Sequence, residues 1–221
     1  LRGECFVLPH FIGAAPGSTN IRNTLARVVQ ELAAKYELDD PIPQDYNELV
    51  ILFRKLLEKA GNNPNGPRLV LILDALNQLD DAYHAHTLEW LPEFFPSRIH
   101  VVVSTLKGDV YDNFSRRERT ELLVGELTKA EQEEIVRTTL WEYRKKLSPE
   151  QMTLLLQKKD AYKPLYLIVA CEELRVFGVF EKLKERIAKM TQTVPTLYDE
   201  VLQRLETDHG QDLVKRTMAF L

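Results

Sequence analysis

A length of 221 residues suits one large domain or one and a half, and 44% hydrophobic with 28% charged residues is ordinary for a globular chain. The net charge of −4 argues against a broad electrostatic attraction to nucleic acid, and no apolar run approaches the roughly 20 residues that a membrane-spanning helix needs. Two cysteines, Cys5 and Cys171, argue against a disulfide framework, so a reducing compartment is the simple expectation.

The chain begins at Leu1, and Arg2 and Glu4 break any signal-peptide core. The closing "VKRTMAFL" stops inside an amphipathic pattern. Both ends therefore read as cut, and the chain as an internal piece of a longer protein. In chain order, "ECFVLPHFIG" (Glu4 to Gly13) is short, apolar and rich in β-formers, which predicts a strand. The overlapping "FIGAAPGSTN" has the glycines and hydroxyls of a phosphate-binding loop. The Walker A pattern G-x-x-x-x-G-K-[ST] does not fit it, however, because the spacing is one residue short and no lysine precedes the hydroxyl. Ser18, Thr19 or Asn20 can cap a helix whose stripe is Ile21, Leu25, Val28, Val29 and Leu32. "LDDPIPQD" reads as a loop. A second helix has its stripe at Leu49, Val50, Phe53, Leu56 and Leu57, and "GNNPNGP" breaks it.

The run Leu69 to Leu73 enters Asp74 and predicts a strand buried on both faces, as in a parallel sheet. "RIHVVVST" (Arg98 to Thr105) predicts another, and "ELLVGEL" (Glu121 to Leu127) a weaker third. Helices fit between them, so the first part is α/β. After Leu127 only helical patterns follow. Thr128-Lys129-Ala130-Glu131 and Ser148-Pro149-Glu150-Gln151 are capping boxes, the first ahead of a helix through about Tyr143. Further helices are predicted near 164–177, 180–190, 195–207 and 211–221.

Asp74 ends a buried strand, at the edge where open α/β sheets bind ligands. It has the form of a Walker B acid that holds Mg²⁺, or of a strand ending at a solvated carboxylate. Ser104 and Thr105 end the next strand, either to sense a γ-phosphate or to satisfy backbone groups. "YHAH" (Tyr83 to His86) spaces its histidines wrongly for a metal on one helix face and reads as solvated surface. "SRRER" (Ser115 to Arg119) is short and without aromatics, and reads as a solvated basic face. Pro164 sits where proline is tolerated, in the first turn of a helix.

With "LVLILDALNQLDDAYHAHTLEWLP", "HVVVSTL", "KPLYL" and "TVPTLYDEVLQRLETDHG" in that order, nearly the whole chain resembles the NACHT-type STAND P-loop ATPases. The nearest look is to the nephrocystin and telomerase-associated-protein branch, whose members often carry WD or TPR repeats. The resemblance implies three parts: an α/β nucleotide-binding domain over 1–127 that lacks its P-loop and first strand, a helical domain over 128–191, and the start of a winged-helix domain from 192. It makes "FIGAAPGSTN" the second strand of the fold and its turn, with the true Walker A upstream of Leu1. Asp74 matches the Mg²⁺ acid, Ser104 and Thr105 the γ-phosphate sensor, and Pro164 the proline that packs on adenine. The family often follows the acid with glycine and an acidic pair; here Ala75 replaces the glycine, and Asn77 and Gln78 the acids. Asp80 or Asp81 are then the remaining candidates for the hydrolytic base. Leu106 stands where many relatives have an arginine. The implied function is an ATP/ADP-dependent switch with slow hydrolysis that assembles with other protein subunits, without nucleic acid or a membrane span. A non-hydrolysing scaffold that keeps the fold for its surfaces is the alternative. Cytoplasm and cilium are both compatible with the sequence.

Overall fold

A parallel pair of strands leaves from the start of the chain and brings distant residues to one edge. In the computed structural model, which describes residues 5–37, 41–177 and 182–220, β1 (Cys5–Phe11), β2 (Arg68–Asp74) and β3 (Ile99–Val103) form a parallel sheet in the order β1-β2-β3. Phe11 stands opposite Asp74, and Leu73 opposite Val103, so all three strands end on the same edge.

The two helices between β1 and β2 form for local reasons. Asn20 accepts the Arg22 amide at 3.0 Å to cap α1 (Ile21–Lys35), and Asp45 accepts the Glu48 amide at 3.1 Å to cap α2 (Tyr46–Asn62). Their stripes are the expected ones. Ile21, Leu25, Val29 and Leu32 of α1, and Leu49, Phe53, Leu56 and Leu57 of α2, are all buried. Each such side chain contributes about 1.5–3 kcal/mol by leaving water. The helices cover the sheet face that carries Leu8, Leu69, Leu71, Leu73 and Ile99.

Three expectations are corrected. The sheet is not buried on both faces. Val70 and Ile72 on the other face are half-buried, and Val7, Phe11 and Val102 are 50%, 53% and 53% exposed, because among the described residues helices pack on one side only. No helix of length lies between β2 and β3; short 3-10 turns at Leu76–Gln78 and Ala82–Thr87 bridge them. Residues 121–127 form no strand. Leu122, Leu123 and Val124 are 88%, 77% and 88% exposed, and an apolar run becomes a strand only where a neighbour accepts its backbone hydrogen bonds.

The chain divides into two compact units, Leu1–Glu121 and Leu122–Leu221. The first also holds the short α3 (Asp109–Ser115). The second contains α4 (Lys129–Trp141), α5 (Pro149–Leu156), α6 (Pro164–Val176), α7 (Leu183–Lys189), α8 (Val194–His209) and α9 (Gln211–Met218). Both capping boxes form with their reciprocal bonds, and Pro149 and Pro164 each stand in a first turn. The expected starts at 4 and 180, the end at 221, and part of the loop at 38–40 lie outside the described residues. Residues 192–220 contribute two helices and no strand.

The second unit has its own core of Val136, Leu140, Leu155, Tyr166, Leu167, Cys171, Ile187 and Leu197. Polar groups lock its helices together. Lys158 donates to the Ala188 and Met190 carbonyls at 3.1 and 2.5 Å, and the Tyr166 hydroxyl donates to Thr191 O at 2.5 Å. Burial pushes the Tyr166 hydroxyl far above its usual range and the Cys171 thiol up to about 12, so Cys171 is a packing residue. Asp160 accepts the Val194 amide at 2.9 Å, which holds its carboxyl below its usual value and ties α8 to the turn before α6.

Candidate functional site at the strand ends

The common edge of the sheet gathers Phe11 to Asn20, Asp74 to Asp81 and Ser104 to Leu106 into one neighbourhood. At its centre Ser104 Oγ donates to Asp74 Oδ1 at 2.5 Å and accepts the Ala75 amide at 2.8 Å. The backbone repeats the tie: Ser104 N donates to Leu73 O at 3.1 Å, and Leu76 N to Ser104 O at 2.9 Å. Asp74 is half-buried, and its Oδ2 takes no hydrogen bond among the described residues. One carboxylate oxygen is therefore fixed and the other is available to a hard cation.

Thr105 turns away from this pair. Its hydroxyl donates to Leu106 O at 3.1 Å. Asn77 Oδ1 accepts the Leu106 amide at 3.1 Å, so its side chain closes the β3 loop over the β2 loop. Gln78 is exposed and stands over Gly13, where an added Cβ would come within 2.0 Å of Gln78 Oε1. Asp80 is exposed. Its Oδ2 accepts the Thr19 hydroxyl at 2.9 Å, and its amide donates to Thr19 O at 2.9 Å. Asp81 is exposed and lies 3.7 Å from His86 Nδ1. Asp74, Ser104 and Asn77 thus share one place, Thr105 adjoins it with its hydroxyl turned to Leu106 O, and Asp80 belongs to the rim with Thr19. Asp81 is drawn to His86 instead.

The "FIGAAPGSTN" loop is folded on itself. Gly13 N and Ala15 N both donate to Ser18 Oγ, at 2.9 and 3.2 Å, and Ser18 Oγ donates to Ala15 O at 2.6 Å. Amides already bonded to a serine are not free to cradle phosphate. Gly13 and Gly17 take positive φ of 81° and 77°, as the strand-to-helix turn requires. Behind the loop His10 is buried. The Arg27 guanidinium donates to its Nδ1 at 2.8 Å, and its Nε2 contacts Thr24 Oγ1 at 3.0 Å. Burial first, and Arg27 second, hold this imidazole below its ordinary pKa.

Other expectations found different places. Of "YHAH", Tyr83 stacks on Tyr46 with ring centroids 4.4 Å apart, and His86 is half-buried with Nε2 2.7 Å from Leu79 O. In "SRRER", Arg117 reaches the Leu88, Leu91 and Pro92 carbonyls at 2.7–3.0 Å, a structural clamp on the β2–β3 connection. Pro164, in the second unit, is exposed at the first turn of α6 beside exposed Leu165 and Ile168. Sequence reasoning missed Thr19 and Arg117, because both act on backbone or side-chain groups dozens of residues away. Among the described residues no cluster of three or more His, Cys, Asp or Glu forms a metal site, and no helix is long and apolar enough to cross a membrane.

No family model matches the chain, and no solved structure matches it significantly. Curated relatives do. Telomerase protein component 1 of Rattus norvegicus is 32% identical over 225 residues, which is 98% of this chain and 8% of that protein. A TPR repeat-containing protein of Dictyostelium discoideum is 28% identical over 244 residues, 93% of this chain and 15% of that one. NACHT domain- and WD repeat-containing protein 1 of Homo sapiens is 27% identical over 218 residues, 95% of this chain and 14% of that one. The chain therefore spans between 8% and 15% of the length of these relatives. Matched to such proteins over 95% to 98% of its length, the chain belongs to the NACHT-type branch that includes the NACHT and WD repeat proteins and telomerase protein component 1.

Proposed function

We propose that this chain is part of a nucleotide-dependent switch, responding to ATP and ADP with slow hydrolysis, that governs assembly with other proteins. The observation that carries the reading is the Asp74–Ser104 pair at the C-terminal edge of a parallel sheet. Asp74 Oδ2 would hold Mg²⁺, and Ser104 and Thr105 would report the terminal phosphate. Pro164 would pack on adenine. The hard oxygen of Asp74 fits Mg²⁺, which takes oxygen ligands and keeps several waters. The residues present do not fit the phosphates: no G-x-x-x-x-G-K-[ST] occurs in the 221 residues, and the loop amides at Gly13 and Ala15 are taken. The phosphate cradle would come from sequence outside them. The helical part over 128–191 and a winged-helix start from 192 complete the reading. Repeats in the relatives' names support protein partners, and the net charge speaks against nucleic acid.

Nucleotide can move such a switch only if two arrangements bind it differently. Slow hydrolysis follows from Asn77 and Gln78, because an amide orients a water but does not take its proton. A second reading, a scaffold that binds no nucleotide, is favoured by one observation: Asn77 is already committed to the Leu106 amide. Calorimetric titration of the native protein with Mg²⁺-ATP separates the two. Saturable binding is expected, while the 221 residues alone bind none. A native protein that binds neither ATP nor ADP contradicts the switch and leaves the scaffold.

A further inference from the structure

A long open groove lies in the second unit, between α4 and α5, and neither the strand-end site nor the family reading uses it. The two helices run antiparallel as a hairpin: Lys129 at the start of α4 donates to the carbonyl of Leu156 at the end of α5, at 2.8 Å. The groove encloses about 1000 Å³, and its floor is Val136, Leu140, Met152 and Leu156. Pro149 and Trp141 form one end, and Trp141 is 73% exposed, an unusual state for so large an apolar ring.

The rim has a sign. It carries Lys129, Arg137, Lys145 and Lys146 against the single carboxylate of Glu133, although the whole chain is net −4. Glu133 is engaged by Arg137 at 3.1 Å. Lys129, Lys145 and Lys146 form no ion pair among the described residues: Lys129 donates to Gln132 Oε1 and Leu156 O, Lys145 donates to the Leu174, Arg175 and Phe177 carbonyls at the end of α6, and none of the three meets a carboxylate. The cations stand at both ends of the apolar floor, Lys129 at one and Lys145 and Lys146 at the other.

We propose that this groove docks an acidic amphipathic helix of a partner polypeptide. Such a helix lays an i, i+3, i+4, i+7 apolar stripe on a hydrophobic floor, which is a recurring recognition mode. The α4 wall is 13 residues long, roughly 20 Å at 1.5 Å per residue, enough for about three and a half turns of a ligand helix. Glutamates flanking that stripe meet Lys129 at one end and Lys146 at the other, where Lys145 is already engaged by the α6 carbonyls. Trp141 is the anchor, since aromatic rings supply large contact area at low conformational cost. A groove open along its length suits a helix better than a small molecule, which sites usually enclose by 70–90% or so.

The test uses the native protein and a labelled 14-residue helical peptide with leucines at those spacings and glutamates beside them. Its counterpart carries lysines in place of the glutamates, and phosphatidylserine vesicles are the third probe. Fluorescence anisotropy is expected to show saturable binding of the acidic peptide, weakened at least tenfold by Trp141→Ala and by Lys146→Glu and weakened further by salt. Both side chains are surface groups, so their variants are expected to keep the parent melting temperature, and a charge-conserving Lys146→Arg to keep the affinity. Equal binding of the lysine peptide, indifference to both variants, or binding of vesicles but not of the acidic peptide would overturn the proposal.

Discussion

Ser104 Oγ lies 2.5 Å from Asp74 Oδ1 and joins two strand ends that are 30 residues apart in sequence. The same hydroxyl accepts the Ala75 amide, so one serine orients the acid and fixes the backbone turn that follows it. The turn then places Asn77 on the Leu106 amide and Gln78 beside Gly13.

That arrangement predicts feeble hydrolysis. Asn77→Asp with Gln78→Glu restores groups that can take a proton from water, and is expected to raise the ATPase rate of the native protein by about tenfold or more, the lower range of general-base effects being about 100-fold. A steady-state phosphate-release assay reads it. Rapid turnover by the unaltered protein, or no gain in the variant, counts against these positions.

Ala75 adopts φ 59°, ψ 47°, a left-handed conformation that costs a residue with a Cβ about 1–2 kcal/mol. Glycine removes that strain and returns about 0.4–1 kcal/mol to the unfolded chain. Ala75→Gly is therefore expected to stabilise the first unit by up to about 1 kcal/mol, measured as a higher urea midpoint.

His10 gives the first unit an acid-sensitive joint. Arg27 donates to Nδ1, so the proton resides on Nε2, which donates to Thr24 Oγ1; that hydroxyl donates to Ser18 O at 3.2 Å. The folded imidazole titrates below the unfolded value of about 6.5. On acidification the unfolded chain takes its proton first. The His10 contribution is thus full above about pH 6.5 and declines as pH falls toward the folded pKa, by at most about 1.4 kcal/mol per pH unit. Urea denaturation at several pH values tests this: His10→Gln should remove that part of the slope.

Glu173 in α6 is buried and accepts from Arg204 of α8 at 2.8 and 2.9 Å, with Arg186 of α7 at 3.4 Å. Removing the carboxylate leaves Arg186 with Glu200 and Arg204 with the more exposed Asp208, and takes from both guanidinium groups their buried partner. Glu173→Ala is expected to cost about 3 kcal/mol in the second unit, again by urea denaturation. A loss below about 1 kcal/mol would show that solvent screens the cluster.

Periodicity made much of this fold legible. The stripes of α1 and α2, the apolar run into Asp74 and the two capping boxes are local patterns, and local patterns determine local structure. The order of motifs along the chain pointed to the NACHT-type proteins. The failures share a cause. "ELLVGEL" is as apolar as a strand, but a strand exists only with a partner, and composition does not report one. The half-open sheet face escaped for the same reason, since the run Leu69 to Leu73 looks alike whether one face is covered or two. Within the candidate site, Asp74 and Ser104 were visible as strand ends. The bond between them, the Ser18 hydroxyl that occupies its own loop amides, and the Thr19–Asp80 contact arise from tertiary placement.

The central claim is that Asp74 is the metal-holding acid of a nucleotide site. Asp74→Ala in the native protein tests it most directly, by calorimetric titration with ATP in the presence and absence of Mg²⁺. The account predicts that the unaltered protein binds ATP more tightly with Mg²⁺ than without, and that the variant loses this Mg²⁺-dependent gain by about tenfold or more, roughly 1.4 kcal/mol, while keeping its melting temperature within a few degrees. A variant that binds Mg²⁺-ATP as tightly as the unaltered protein would contradict it.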